Sequence, residues 1–167
     1  MNSEFQTTSK NLETTAKIGK AIANAFRSTG GLISMFGDIG AGKTTITKSI
    51  GKFLNVKEKI TSPSFVILNE YHSGAIPIYH FDLYRLEKEG LSTILGEIRE
   101  YTETEKSLAI VEWSEFSHDE LPNERLELEI SYVNETERNF KFKSYGEKHK
   151  EILLKIKQGA ENEYIGI

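Results

Sequence analysis

Three features of this 167-residue sequence predict an α/β fold: short apolar runs of strand length, amphipathic stretches of helical period between them, and alternating segments toward the C-terminus. The short runs, residues 32–36 and 108–111, are too brief for helices and apolar at every position but one, as strands covered on both faces are. Residues 126–133 and 139–145 alternate apolar with polar side chains, the pattern of half-exposed antiparallel strands. The expected architecture is a mixed sheet with helices on both faces and antiparallel strands toward the C-terminus.

Taken in order, residues 10–28 place Leu12, Ala16, Ile18, Ile22, Ala25 and Phe26 at helical spacings, with Ser9 as the expected N-cap and Gly30-Gly31 as the stop. The run 32–36 ends at Gly37, and a helix is expected through Leu54 with Ile46, Ile50, Phe53 and Leu54 inward. Strands are predicted over 65–71 and 76–82, joined by a hairpin turn at His72-Ser73-Gly74. Residues 84–105 read as helix in pieces, broken near Gly90 and Gly96, and 147–157 as a closing helix. No repeat or linker interrupts the chain and Pro63, Pro77 and Pro122 are scattered, so residues 1–167 are expected to form a single domain.

Composition removes several classes of function. A chain near 150 residues buries roughly 70% of its unfolded surface, enough for a real core. The absence of cysteine excludes disulfide scaffolds, thiolate zinc sites and thiol catalysis. No stretch approaches the ~18 apolar residues of a membrane helix, and the N-terminus lacks a signal peptide's basic and apolar regions, so a cytoplasmic protein is expected. The net charge of −4 conceals a partition: residues 1–86 sum to +4, 87–137 to −11 and 138–167 to +3. The acidic middle is either a docking surface or a solvated face. The C-terminal lysines, from Lys141 to Lys157, offer a similar choice between a contact for RNA or acidic protein and a solvated face.

The chemistry sits in Gly37-Asp38-Ile39-Gly40-Ala41-Gly42-Lys43-Thr44, which matches G-x-x-x-x-G-K-[ST] and stands between an expected strand and an expected helix. Glycines let successive N–H groups face one anion, and the helix start adds its positive end. Lys43 would then meet the β and γ phosphates, Thr44 would give its hydroxyl to Mg²⁺, and Thr45 would reach the α phosphate. Such a loop needs a carboxylate at a neighbouring strand end, and Asp82 and Glu112 each close an apolar run. Asp38 either caps the turn or bonds the attacking water. Trp113 either stacks on a base or packs in the core. Thr61-Ser62-Pro63-Ser64 is either a γ-phosphate-sensing segment or a plain loop. No N/T-K-x-D segment for guanine is present, and the four histidines show no ligand spacing.

GDIGAGKTT, TSPSF, YHFDLYRL (79–86), VEWSE (111–115) and Leu121-Pro122, in this order and spacing, resemble the bacterial TsaE family over about residues 10–146. The resemblance implies a P-loop α/β fold, ATP or ADP with Mg²⁺ as ligands, and slow hydrolysis in the service of tRNA threonylcarbamoyladenosine synthesis. It implies TsaD and TsaB as partners, with any tRNA contact indirect, and an assembly or reset role rather than the transfer itself. By position, Lys43 and the loop amides would hold phosphates, Thr44 and Glu112 the metal, and Asp82 would be the acid needed for turnover. Trp113 would lie against the adenine and Arg138 near the base. Ser64 stands where the family has threonine, which keeps the hydroxyl, and GEIREY (96–101) carries one residue more than the family's G-I-R-D-Y.

No arginine finger is identifiable, so the expected Mg²⁺-ATPase is poor in isolation. Two alternatives share the phosphate loop. A small-molecule or nucleotide kinase needs an arginine-rich lid, and Arg85, Arg99 and Arg125 are too dispersed to display one. A non-catalytic nucleotide-dependent interaction module would keep every partner-dependent activity in Glu112→Ala.

Overall fold

The computed structural model describes residues 2–37, 40–63, 67–83, 88–104, 106–112 and 121–165. In chain order its elements are β1 (Glu4–Ser9), α1 (Leu12–Phe26), β2 (Gly31–Gly37), α2 (Lys43–Phe53), β3 (Leu68–Tyr71), β4 (Ile78–Asp82), α3 (Lys88–Thr104), β5 (Leu108–Glu112), β6 (Arg125–Tyr132), β7 (Arg138–Tyr145) and α4 (Glu147–Ile165). The strands form one mixed sheet in the order β1-β7-β6-β2-β5-β4-β3.

The apolar run that begins at Leu32 becomes the central strand, parallel to β5 on one side and to β6 on the other. Beyond β5 lies β4, also parallel, so β6, β2, β5 and β4 point their C-terminal ends the same way. Antiparallel strands close both edges: β3 against β4, and β7 and β1 beyond β6. Successive side chains of a strand face opposite sides. Thus Ile33 and Met35 join α1, α2 and α4 in the larger core, while Leu32 joins Tyr79, Phe81, Val111 and Ile98 of α3 in the smaller one. Helices cover both faces, as expected. No described helix is long and apolar enough to cross a membrane.

The structure departs from expectation in several places. Strand β1 is unforeseen, because its side chains Gln6, Thr7 and Thr8 carry no apolar period; its register comes from β7, with Glu4 opposite Lys143. The α1 cap is Asn11, whose Oδ1 accepts the Thr14 N–H at 2.8 Å. Ser9 instead donates to the Asn11 carbonyl oxygen at 2.8 Å and shares a 2.6 Å bond with Thr15 Oγ1. Helix α3 runs unbroken through Gly90 and Gly96. Each interior glycine costs a helix about 1 kcal/mol against alanine; burial of Ile98 in the smaller core offsets this. Helix α4 extends past residue 157 to Ile165.

The fold also redistributes the charge partition. On β6, Glu127 and Glu129 stand opposite Lys143 and Lys141 of β7, so acidic and basic segments of the sequence pair across one ladder. Glu127 also accepts two hydrogen bonds from Arg125, at 2.8 and 3.2 Å, both side chains being buried. Part of the acidic stretch is therefore internal structure rather than open docking surface.

Candidate functional site

Strand β2 delivers the glycine-rich loop at the C-terminal end of the sheet, where ligands of open α/β sheets bind. Gly42 is the N-cap of α2 with φ +109°, a conformation that side chains rarely adopt, and no side chain among the described residues caps the helix. The first turn of α2 contains no acidic residue, so its positive end is left for an exogenous anion. Lys43 Nζ donates to the Gly37 carbonyl oxygen at 3.1 Å, which lays the ammonium back along the loop. Ala41 is buried, Thr44 half-buried and Thr45 exposed.

The two strand-end acids meet. Asp82 and Glu112 are register partners on parallel β4 and β5, and both are buried. By alternation they share the sheet face of Met35, itself opposite Glu112 on β2 and in contact with Thr47 of α2. The carboxylates thus lie on the face of the sheet that α2 covers through Met35. His80, two residues before Asp82, lies with Nε2 3.1 Å from Glu112 Oε1.

On the other side of β2 a cavity of about 630 Å³ opens between the first turn of α1, the loop and the β6–β7 hairpin. Asn11, Thr15, Gly40, Thr45, Arg138 and Phe140 are among its walls. The volume is that of a small-ligand site. Arg138 donates to the carbonyl oxygens of Asn134 and Glu137, at 2.6 and 2.9 Å, and lies over the Tyr132 ring at 4.7 Å, so it braces the hairpin that forms the wall. The strand order places the loop between this cavity and the carboxylate pair.

Of the residues singled out in the sequence, Gly37, Gly40, Ala41, Gly42, Lys43, Thr44, Thr45, Asp82, Glu112 and Arg138 are described, and they assemble at one end of the sheet. Asp38, Ile39, Ser64 and Trp113 lie outside the described residues. Sequence reasoning missed Asn11, Thr15 and Phe140. Asn11 carries a local signal, an asparagine opening an amphipathic helix; Phe140 reaches the cavity only through strand pairing.

The family model described as "Threonylcarbamoyl adenosine biosynthesis protein TsaE" matches residues 9–140. The chain belongs to the TsaE family. The TsaE protein of Bacillus subtilis is 38% identical over 146 residues, 87% of this chain and 89% of that protein. The TsaE protein of Nostoc is 43% identical over 62% of this chain and 64% of that protein. Among solved structures, the crystal structure of Bacillus subtilis YdiB superposes with a TM-score of 0.77 at 30% identity, covering 95% of this chain and 97% of that one. TsaE membership gives the chain a role in tRNA threonylcarbamoyladenosine biosynthesis.

The TsaE-family site fits a nucleotide with a divalent cation. Among the described residues, a Cβ added at Gly40 or Gly42 would meet nothing within 4 Å, which leaves space at the loop. Among the described residues no group of three or more His, Asp and Glu side chains forms a metal cage. Magnesium in phosphate-transfer sites takes one or two carboxylates together with phosphate oxygens, a set that Asp82, Glu112 and Thr44 match in kind.

Proposed function

We propose that this TsaE-family chain binds ATP with Mg²⁺ and hydrolyses it, slowly when alone, as an assembly or reset factor acting with TsaB and TsaD in tRNA threonylcarbamoyladenosine synthesis in the cytoplasm. The observation that carries this reading is the placement of an uncapped, glycine-framed helix start between a nucleoside-sized cavity and two adjoining carboxylates. In this reading the nucleoside lies in the cavity, the phosphates cross the loop and the terminal phosphate points toward Asp82 and Glu112.

In this reading the loop amides and Lys43 hold the phosphates, Lys43 exchanging its bond to the Gly37 carbonyl for phosphate oxygens. Thr44 and Glu112 hold the cation, with Asp82 beside them. When bound, Mg²⁺ neutralises charge developing on the transferred phosphoryl group. Asp82 orients the attacking water and takes up its proton, and its burial keeps that water apart from bulk solvent. Arg138 braces the nucleoside wall. Any tRNA contact is indirect, through the partners.

ATP turnover measured with and without TsaB and TsaD tests the reading. Turnover well below one per second alone, raised by the partners and abolished in Lys43→Ala, is expected. Turnover of tens per second by the isolated chain overturns the assembly-factor role. Stoichiometric phosphate transfer to a metabolite would instead identify a kinase.

A further inference from the structure

His80 is fully buried on β4, and the nucleotide reading gives it no task. Alternation places it on the same face of the sheet as Asp82, one pleat toward the interior. A carboxylate only accepts hydrogen bonds, so the 3.1 Å contact from Nε2 to Glu112 Oε1 requires the hydrogen on Nε2. The other ring nitrogen, Nδ1, is buried without a hydrogen-bond partner among the described residues. A buried acceptor left without a donor is destabilising. A leucine or phenylalanine would fill the same space among Ile78, Ile110 and their neighbours without that penalty. What the histidine supplies is the single bond to Glu112.

We infer, on the reading that Glu112 faces a Mg²⁺-nucleotide, that His80 is a positioning residue that ties down Oε1 of Glu112 and presents Oε2 alone to the cation. Among the described residues this is the one side-chain hydrogen bond that Glu112 makes. Magnesium demands near-octahedral, one-oxygen ligation, and a glutamate free to rotate would also offer both oxygens at once. Fixing one oxygen from the interior side removes that alternative before the ligand arrives. A partner holding a metal ligand in this way is typically worth about 10- to 100-fold in metal affinity.

The experiment uses the full chain and Mn²⁺ as an EPR-visible probe, titrated at saturating ADP, with ADP affinity measured separately in EDTA. His80→Leu is expected to leave metal-free ADP binding unchanged and to raise half-saturating Mn²⁺ by about 10-fold, while His80→Gln, which restores an N–H donor, recovers most of the loss. In Glu112→Ala the His80→Leu substitution adds nothing. An unshifted Mn²⁺ titration in a folded His80→Leu protein, no recovery in His80→Gln, or additive effects in the double variant overturns the inference. If the wild-type chain binds no adenine nucleotide, the ATPase reading fails separately. The His80–Glu112 bond is then judged from ring ¹⁵N spectra, where an Nε2-protonated tautomer that shifts in Glu112→Ala supports it and an Nδ1-protonated ring overturns it.

Discussion

His149 Nε2 accepts the backbone N–H of Leu32 at 3.1 Å, so a side chain from the first turn of α4 is stitched to the start of the strand that carries the phosphate loop. Accepting through Nε2 fixes the tautomer, and Nδ1–H donates to Glu124 Oε1 at 3.2 Å. Burial holds the ring's pKa below the ordinary 6.5, with the Glu124 hydrogen bond and charge opposing that shift. Protonation would place a hydrogen where the Leu32 N–H already points.

Stability should therefore fall on acidification. A lowered folded-state pKa means that the unfolded chain takes up the proton first, so the contribution of His149 is complete above pH 6.5 and is lost as pH falls from there through the folded value. Chemical denaturation of wild type and His149→Gln from pH 8 to 5 checks this. The stability difference between them should shrink as pH drops, and a constant difference counts against the assigned tautomer.

Helices α1 and α2 meet at Gly19, where an added Cβ would lie 2.4 Å from Ser49 Cβ. Gly19→Ala should destabilise by about 1–3 kcal/mol through overpacking, despite alanine's better helix propensity. Ser49→Gly removes the opposing Cβ and should restore part of the loss. Urea unfolding of the two single variants and the double variant measures it; a Gly19→Ala protein as stable as wild type would show that the helices simply slide apart.

Arg125 and Glu127 form a buried pair, and the guanidinium also donates to the Pro122 carbonyl oxygen at 2.8 Å and lies over the Tyr145 ring at 4.2 Å. Arg125→Met takes both guanidinium hydrogen bonds from a buried carboxylate and should cost roughly 3–5 kcal/mol. Replacing both residues by methionine should cost markedly less than Arg125→Met alone. A double-mutant cycle by denaturation reads the coupling, and additive losses would mean that the two side chains act independently.

The cavity and the lone tryptophan make competing claims on the base. The cavity opens on the β6 side of β2, whereas Trp113 follows Glu112, which ends β5 on the opposite side. With the base in the cavity, Arg138→Ala should weaken ADP binding by about 10-fold, or ~1.4 kcal/mol. Trp113→Phe should then bind nearly as wild type in calorimetry. The reverse ranking would put the adenine against Trp113.

Much of this organisation is legible in local pattern. The strand that ends at Gly37, the helix opened by Lys43 and the alternating β6 and β7 announce themselves through apolar period and through the glycine–lysine spacing. Strand β1 does not, because polar Gln6, Thr7 and Thr8 become a strand only when β7, more than 130 residues away, supplies the hydrogen bonds. Nor do the breaks expected at Gly90 and Gly96 materialise, since packing of one helix face outweighs a local propensity of about 1 kcal/mol.

By itself the sequence determined the α/β class, the phosphate loop and the two candidate acids, because each is written within a few neighbouring residues. The tertiary structure alone decided that Asp82 and Glu112 are register partners and that His80 closes on Glu112. It also decided that Asn11, Arg138 and Phe140 enclose a cavity with the loop. Those relations join residues 30 to 130 positions apart, and strand order and register, which fix them, are set by the packing of the whole sheet rather than by any local run of the chain.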